Sequence, residues 1–441
     1  MVTSVIGAQD CRGHPAIPEK KNTIEFLKFY KTSMGHLSRY LRKISNENFS
    51  SLHIRNYRLY YFGQVISTSG TFMQSVAQTW LVLKLTNSGA ALGLAAALQY
   101  LPILILGPYG GLIADRFPKR KILYFTQSLA GVLALILGVL VATNLVKVWM
   151  VYILAFCLGL NNVFDNPTRQ TFYIELVGPD HLRNAVTLYS TLVNLARIIG
   201  PAIAGGLITA VGLAPCFLIN AVSYIAVLIV LTMIRPDELI ITPPAPRAKG
   251  QVKEGFRYVV STPILGIPLL MMAILGTFTY EFQVSLPLIA QFTFNGDASS
   301  YAFLTASMGF GAAIGGIFFA SRKGITASKL ASATLFFGLA VLTAAFMPSL
   351  LLTGLVMVIV GLSSINFSTL GNSLLQLKSS PQMRGRVMSF WAMAFLGSTT
   401  IGGPIVGWFG EIAGARAALA LGGVAALAAA VLGAITLRKT Q

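Results

Sequence analysis

Charge is scarce in this 441-residue chain: only 11% of its residues are Asp, Glu, Lys or Arg, and just 14 are acidic. An ordinary soluble domain carries about a quarter charged residues. With 55% hydrophobic residues besides, a water-soluble globular protein is excluded. Cysteine is scarce too, and Cys11, Cys157 and Cys216 are too few and too scattered for a disulfide framework or a metal site. The four histidines, His14, His36, His53 and His181, fall outside the apolar runs. No histidine-based metal cluster can therefore form inside a membrane, and an intramembrane metalloprotease is excluded. Residues 1–50 hold many charges and no continuous apolar core, so they are not a secretory signal. The ~10-residue alternating patterns of a membrane β-barrel are missing. No nucleotide-binding loop occurs: Gly309, Gly311, Gly315 and Gly316 have the wrong spacing and no preceding strand, and read as a packing face. ATP is not the driver, no cofactor is expected, and the lack of a triad or metal constellation argues against an enzyme.

Long apolar runs are what the chain does have. Breaks at charges and at Pro/Gly clusters leave twelve, near 58–85, 88–114, 121–143, 148–175, 184–211, 214–234, 265–292, 298–320, 328–346, 349–376, 386–409 and 415–437. About 20 apolar residues cross a hydrocarbon core of ~30 Å, and in lipid each such run must be a helix. With both ends of the chain in the cytoplasm, only Lys84, Lys147 and Arg416 fall on the outer side, and Arg169 and Arg197 lie within helices; the remainder of the 33 basic residues sit inside. The positive-inside rule thus puts both termini in the cytoplasm. It also explains the net charge of +19 without a nucleic-acid partner.

The longest break, with Pro236, Pro243, Pro244 and Pro246 followed by the basic stretch Lys249 to Arg257, divides the runs six and six. The halves repeat: Gly70-Thr71-Phe72 matches Gly276-Thr277-Phe278, Gly110-Gly111 matches Gly315-Gly316, and Gly200-Pro201 matches Gly403-Pro404, at offsets of 206, 205 and 203. The expected fold is all-α and integral to the membrane, twelve transmembrane helices in two pseudo-symmetric six-helix bundles that rock about a central site. Its parts are a basic tail (1–57), a first bundle (58–234), a cytoplasmic linker (235–264) and a second bundle (265–441). In the tail, Leu27, Tyr30, Met34, Leu37, Leu41 and Ile44 step by threes and fours, with Lys28, Lys31, Arg39, Arg42 and Lys43 largely between them. That is the pattern of a basic amphipathic helix on the inner leaflet, a flexible basic tail being the alternative.

The most specific local signal follows the second run: Gly110-Gly111-Leu112-Ile113-Ala114-Asp115-Arg116-Phe117-Pro118-Lys119-Arg120-Lys121. It resembles the loop motif between helices two and three of the major facilitator superfamily, matching at Gly111, Ala114, Asp115, Arg116, Lys119 and Arg120, with Pro118 in place of the usual glycine. The resemblance implies a conformational latch in which Asp115 meets the start of the eleventh helix near Arg386. A carboxylate there is stabilised by the helix N-terminus and a guanidinium. Arg197 to Gly206, containing Gly200, Pro201 and Gly205, resembles the Gly-Pro motif of the superfamily's drug/proton antiporters, with Ala204 where that motif has glycine. Helix packing explains it nearly as well. With Asp165-Asn166-Pro167-Thr168-Arg169-Gln170 and Leu182-Arg183-Asn184-Ala185, the chain from about 52 to 438 is similar to the siderophore and secreted-metabolite exporters of that superfamily.

Four charges lie inside runs: Asp165, Arg169, Arg197 and Glu281. At ~1.5 Å per residue, Asp165, Arg197 and Glu281 approach the midplane, some 15–20 Å from their helix ends, where charge is expensive and usually functional. Asp165 and Arg169, four apart, can simply pair. Glu281 has no basic neighbour on its own helix, which suits a residue binding the coupling proton or a cationic substrate group, with Asp165 second; a fixed pair with Arg197 is the alternative. Gln64, Ser67, Thr71, Gln74 and Gln78 form one polar stripe that should face a cavity or another helix. Tyr280, Phe282 and Trp391, with Trp80 and Phe164, can line an apolar pocket. Gly403 and Pro404 are packing positions like Gly200 and Pro201.

The expected function is efflux of an amphipathic small molecule, a drug, siderophore or secreted metabolite, by a monomeric antiporter in the plasma (inner) membrane, with the proton gradient as energy source. Its partners are protons, the substrate and the lipid bilayer. An uptake symporter or a lipid flippase could use the same cavity. A non-transporting membrane sensor or scaffold is the rival of another class, and needs neither Asp115, Glu281 nor the stripe.

Overall fold

The computed structural model describes residues 49–240, 251–319, 326–380 and 383–437. The expected amphipathic tail from Leu27 to Ile44 lies outside them. So do the surroundings of Gly111 and the side chain of Asp115, whose backbones are helical.

Among the described residues the chain is helical and contains no strand. The leading part holds α1 (Arg55–Thr86), α2 (Gly89–Arg116), α3 (Lys119–Ala142), α4 (Val148–Val211) and α5 (Ala214–Met233). The trailing part holds α6 (Gln251–Ser261), α7 (Pro263–Phe278), α8 (Phe282–Leu288), α9 (Ala298–Phe319) and α10 (Ala327–Ala345). It continues with α11 (Leu350–Lys378), α12 (Arg384–Ala392), α13 (Thr399–Ala413) and α14 (Ala415–Leu437). Ten helical stretches among the described residues are long and apolar enough to cross a membrane. α1 is not one of the ten, because its glutamines and hydroxyls dilute its apolar residues.

Connections are short, two residues between α1 and α2, so sequence neighbours run antiparallel. One end of the bundle gathers Arg116, Lys119, Lys378 and Arg384; the far end has Asn87, Asn144 and Asn295 in left-handed turns. Ser88, Thr326 and Ser349 cap α2, α10 and α11 by accepting from the backbone N–H three residues on.

Three features depart from the expected segments. The runs expected at 148–175 and 184–211 are joined in one helical stretch of 64 residues, turned at Gly178. There φ is +71°, open to a residue without Cβ, and Pro179 starts the second arm where no N–H is needed. The linker contains a helix, α6. The runs at 265–292 and 386–409 are both interrupted, the first at Thr279–Glu281 between α7 and α8, the second by a π turn, Met393–Gly397, between α12 and α13.

Small residues bring helices close, as they must where no hydrophobic drive separates protein from lipid. α2 and α13 approach until a Cβ on Gly93 would strike the carbonyl of Gly403, and one on Gly407 that of Gly89. Gly200 packs against Phe72 and Met73 of α1, Gly205 against Ala302 of α9, and Pro201 beside Gly200 is buried. Pro404 follows Gly403 at the same α2 contact.

Candidate functional site

The break between α7 and α8 is held from three sides. The Thr279 hydroxyl donates to the Gly422 carbonyl at 2.7 Å, and the Tyr280 hydroxyl to that of Ser364 at 3.1 Å. The Tyr280 ring stands edge-on to Phe395 at 5.0 Å and packs on Phe337 at 5.4 Å. Gly276 lies against Ser398 and the Ala394 carbonyl, so the two interrupted helices touch near their interruptions. π turns inside helices recur at functional sites, and broken helices at the membrane midplane are where transporters place ion sites.

Glu281 caps α8 through its backbone carbonyl, which accepts from the N–H groups of Val284 and Ser285 at 3.0 Å. Its side chain is 1% exposed. Thr399 lies beside it, yet neither carboxyl oxygen meets hydrogen-bond geometry with a partner. A buried carboxyl without partners is one whose energy depends steeply on whether it holds a proton. The alternative pairing with Arg197 is not present: among the described residues no carboxylate lies within 4 Å of that guanidinium. It sits instead over the Phe72 ring, 5.8 Å from the centroid.

Asp165 is placed quite differently. Oδ1 accepts from Thr126 Oγ1 and Gln127 Nε2, both at 2.7 Å, and Oδ2 pairs with Arg169. The Arg169 guanidinium donates to Gln64 Oε1 at 3.0 Å. These bonds join α1, α3 and the first arm of α4. Gln64, at the basic end of the stripe, is thus engaged in this cluster, and Ser67 is buried near it.

Thr71, Gln74 and Gln78 of the stripe line a cavity of about 270 Å³. α2 contributes Leu92, Ala95, Ala96, Gln99 and Tyr100, the first arm of α4 contributes Asn162 and Asn166, and α5 contributes Asn220 and Tyr224. From the trailing part only Gln283 and Leu396 reach it. Gln283 is two residues beyond Glu281. The aromatics expected around the substrate sit elsewhere: Phe282 and Trp391 are buried in the trailing core, Trp391 beside Phe367, and Trp80 stacks on Tyr301. Gln99, Asn162, Asn220 and Gln283 were not singled out from the sequence, and Asn166 only as part of the Asp165–Gln170 motif, not as a cavity residue. Their signal was an amide in a run otherwise apolar.

The leading and trailing parts are tied together at the far end. Ser88 donates its hydroxyl to Glu411, and the Ala90 N–H reaches the same carboxyl oxygen at 3.2 Å. Gln291 donates to Asn87 at 3.0 Å. At the basic end, among the described residues, the polar contacts stay within one part. Lys119 pairs with Glu175 at 2.9 Å, Arg120 donates to the carbonyls of Leu231 and Thr232, and Arg386 pairs with Glu254 of α6 at 2.7 Å. Arg116 is exposed. Arg386, expected to meet Asp115, is thus engaged by the linker helix. Among the described residues, the polar contacts between the two parts therefore lie at the far end.

Stacked apolar helices, a cavity lined by amides and hydroxyls and a buried carboxyl at a helix break beside it are the features of a multi-pass membrane transporter. Over residues 46–441 the chain matches the transmembrane secretion effector family, and it belongs to that family within the major facilitator superfamily. The multidrug efflux pump Tap of Mycolicibacterium fortuitum is 25% identical over 81% of this chain and 90% of its own. The enterobactin exporter EntS of Escherichia coli O1:K1 / APEC is 24% identical over 81% of this chain and 85% of its own. The crystal structure of the nucleoside transporter NupG shares the fold, with a TM-score of 0.69 at 12% identity over 87% of this chain and 99% of that one.

Proposed function

We propose that the protein expels an amphipathic small molecule across the plasma membrane in exchange for protons, with Glu281 as the proton carrier. The observation that carries this is Glu281 itself: a buried, unpartnered carboxyl at a break in its helix, two residues from a side chain that lines the cavity. Relatives named for drug efflux and siderophore export favour outward transport.

On this reading there are twelve crossings: the two arms of α4 count separately about Gly178, and α1 crosses with its polar stripe turned inward. Two six-helix bundles, 58–234 and 265–441, are joined by the linker. The basic end faces the cytoplasm, and because the described polar ties between the two parts lie at the far end, the cavity opens inward. A proton taken up by Glu281 from outside forms an O–H bond there, removes the charge and lets the α7–α8 break repack. Its release to the cytoplasm restores the carboxylate. Asp165, already saturated by Thr126, Gln127 and Arg169, holds α1, α3 and α4 together instead of carrying protons. Asp115 and Arg386 close the basic end in the outward-open state, Arg386 leaving Glu254 to do so.

The test is accumulation of fluorescent amphiphiles and a siderophore in cells expressing the wild type or Glu281→Gln, with and without a protonophore. The expected result is low accumulation in the wild type, lost with the protonophore and with the substitution. Export by Glu281→Gln at the wild-type rate and with unchanged pH dependence would remove Glu281 from the coupling path.

A further inference from the structure

The cavity wall offers many hydrogen-bonding groups and no ionised one. Its polar members are carboxamides and hydroxyls: Gln74, Gln78, Gln99, Asn162, Asn166 and Gln283 lead them. Some are committed to each other. Asn220 donates to Gln74 Oε1 at 2.7 Å, and Gln78 reaches Gln99 at 3.4 Å. The carboxamides of Asn162, Asn166 and Gln283 have no hydrogen-bond partner among the described residues. Each supplies both a donor and an acceptor. Leu92, Ala95, Ala96 and Ile103 of α2 add apolar lining beside them.

The charges that could serve a cargo are withheld. Asp165 and Arg169 neutralise one another. Glu281 is 1% exposed, and Arg197 is outside the lining, over Phe72. A cargo ion in this cavity would lose its hydration without meeting a counter-charge, which is expensive inside a membrane protein. A neutral cargo with several amide, carbonyl or hydroxyl groups can take the place of water on these amides, exchanging one set of hydrogen bonds for another without stripping a charge of its hydration.

We propose that the cargo is an uncharged amphiphile bearing several such groups on one face and apolar on the other, read by the carboxamide wall of α1, α2 and α4 and by Gln283. The proposal rests on the transport reading above and names its substrate class.

The test uses proteoliposomes of the full chain under an imposed pH gradient, with three probes of comparable size: chloramphenicol, which is uncharged and carries an amide and two hydroxyls; ethidium, a permanent cation; and fluorescein, an anion. Gradient-dependent chloramphenicol flux should exceed that of either charged probe by about tenfold. Gln78→Glu, which puts a carboxylate on the wall, should shift the chloramphenicol-to-ethidium ratio about tenfold towards ethidium. Equal or faster flux of ethidium or fluorescein through the wild type overturns the substrate class while leaving export intact. So does a Gln78→Glu variant of unchanged ratio. No gradient-dependent flux of any probe overturns the export reading, and this inference with it.

Discussion

Two buried carboxylates of this bundle should answer substitution in opposite ways. Neither Glu281 oxygen makes a hydrogen bond, so Glu281→Gln keeps the shape of the side chain and removes no bond; unfolding free energy should change by less than ~1 kcal/mol. What it removes is the proton site. If one proton exchanges for one cargo molecule, each unit of pH difference is worth about 1.4 kcal/mol, and two units sustain about a hundredfold cargo gradient. In Glu281→Gln that gradient should fall to about one. Asp165→Ala strips acceptors from Thr126, Gln127 and Arg169 together. The Arg169 charge is left in a mostly buried position, a loss of about 3–5 kcal/mol. The assay is a pair of measurements on the same preparations, Tm in detergent and steady-state cargo gradient in proteoliposomes against pH difference. A Glu281→Gln variant that keeps its pH-driven gradient would refute the reasoning, as would one that loses as much stability as Asp165→Ala.

Gly93→Val should abolish transport, because its side chain meets the Gly403 backbone carbonyl, which cannot step aside; flux with normal membrane insertion is the measurement. Glu411→Ala releases the Ser88 hydroxyl and the Ala90 N–H. A Leu92→Cys reporter, buried on the cavity wall at that end, should then react faster with an impermeant maleimide added from outside. Asp297 holds Ser299 and Ser300 at the start of α9, and the Ser299 hydroxyl, ahead of the backbone N–H groups, keeps its carboxyl below the ordinary value. Its contribution is present above the ordinary carboxylate range and is lost as pH falls through the lowered value. Asp297→Ala should cost ~1 kcal/mol at neutral pH and nothing in strong acid, read as the difference in Tm.

Much of this protein was settled by its sequence. Long apolar runs can only be helices in lipid, and the spacing of Gln64, Ser67, Thr71, Gln74 and Gln78 fixes one polar face whatever packs against it. Glu281 stood out because a lone carboxylate in such a run is expensive anywhere.

What the tertiary structure alone decided is which groups meet. Periodicity assigns a residue to a face of its helix but says nothing of the neighbour opposite. The stripe therefore divides, Gln64 turning to Arg169 and Gln74 and Gln78 to the cavity. Asp165 and Glu281 look alike in sequence, yet one is saturated by residues 38 and 39 positions away and the other has no bond at all. The break at Thr279–Glu281 depends on the Gly422 and Ser364 carbonyls, far along the chain, and Arg386 found Glu254 through a linker helix that composition did not reveal. Each is a long-range contact, fixed only when the helices pack and their polar atoms must be satisfied by whatever lies within reach.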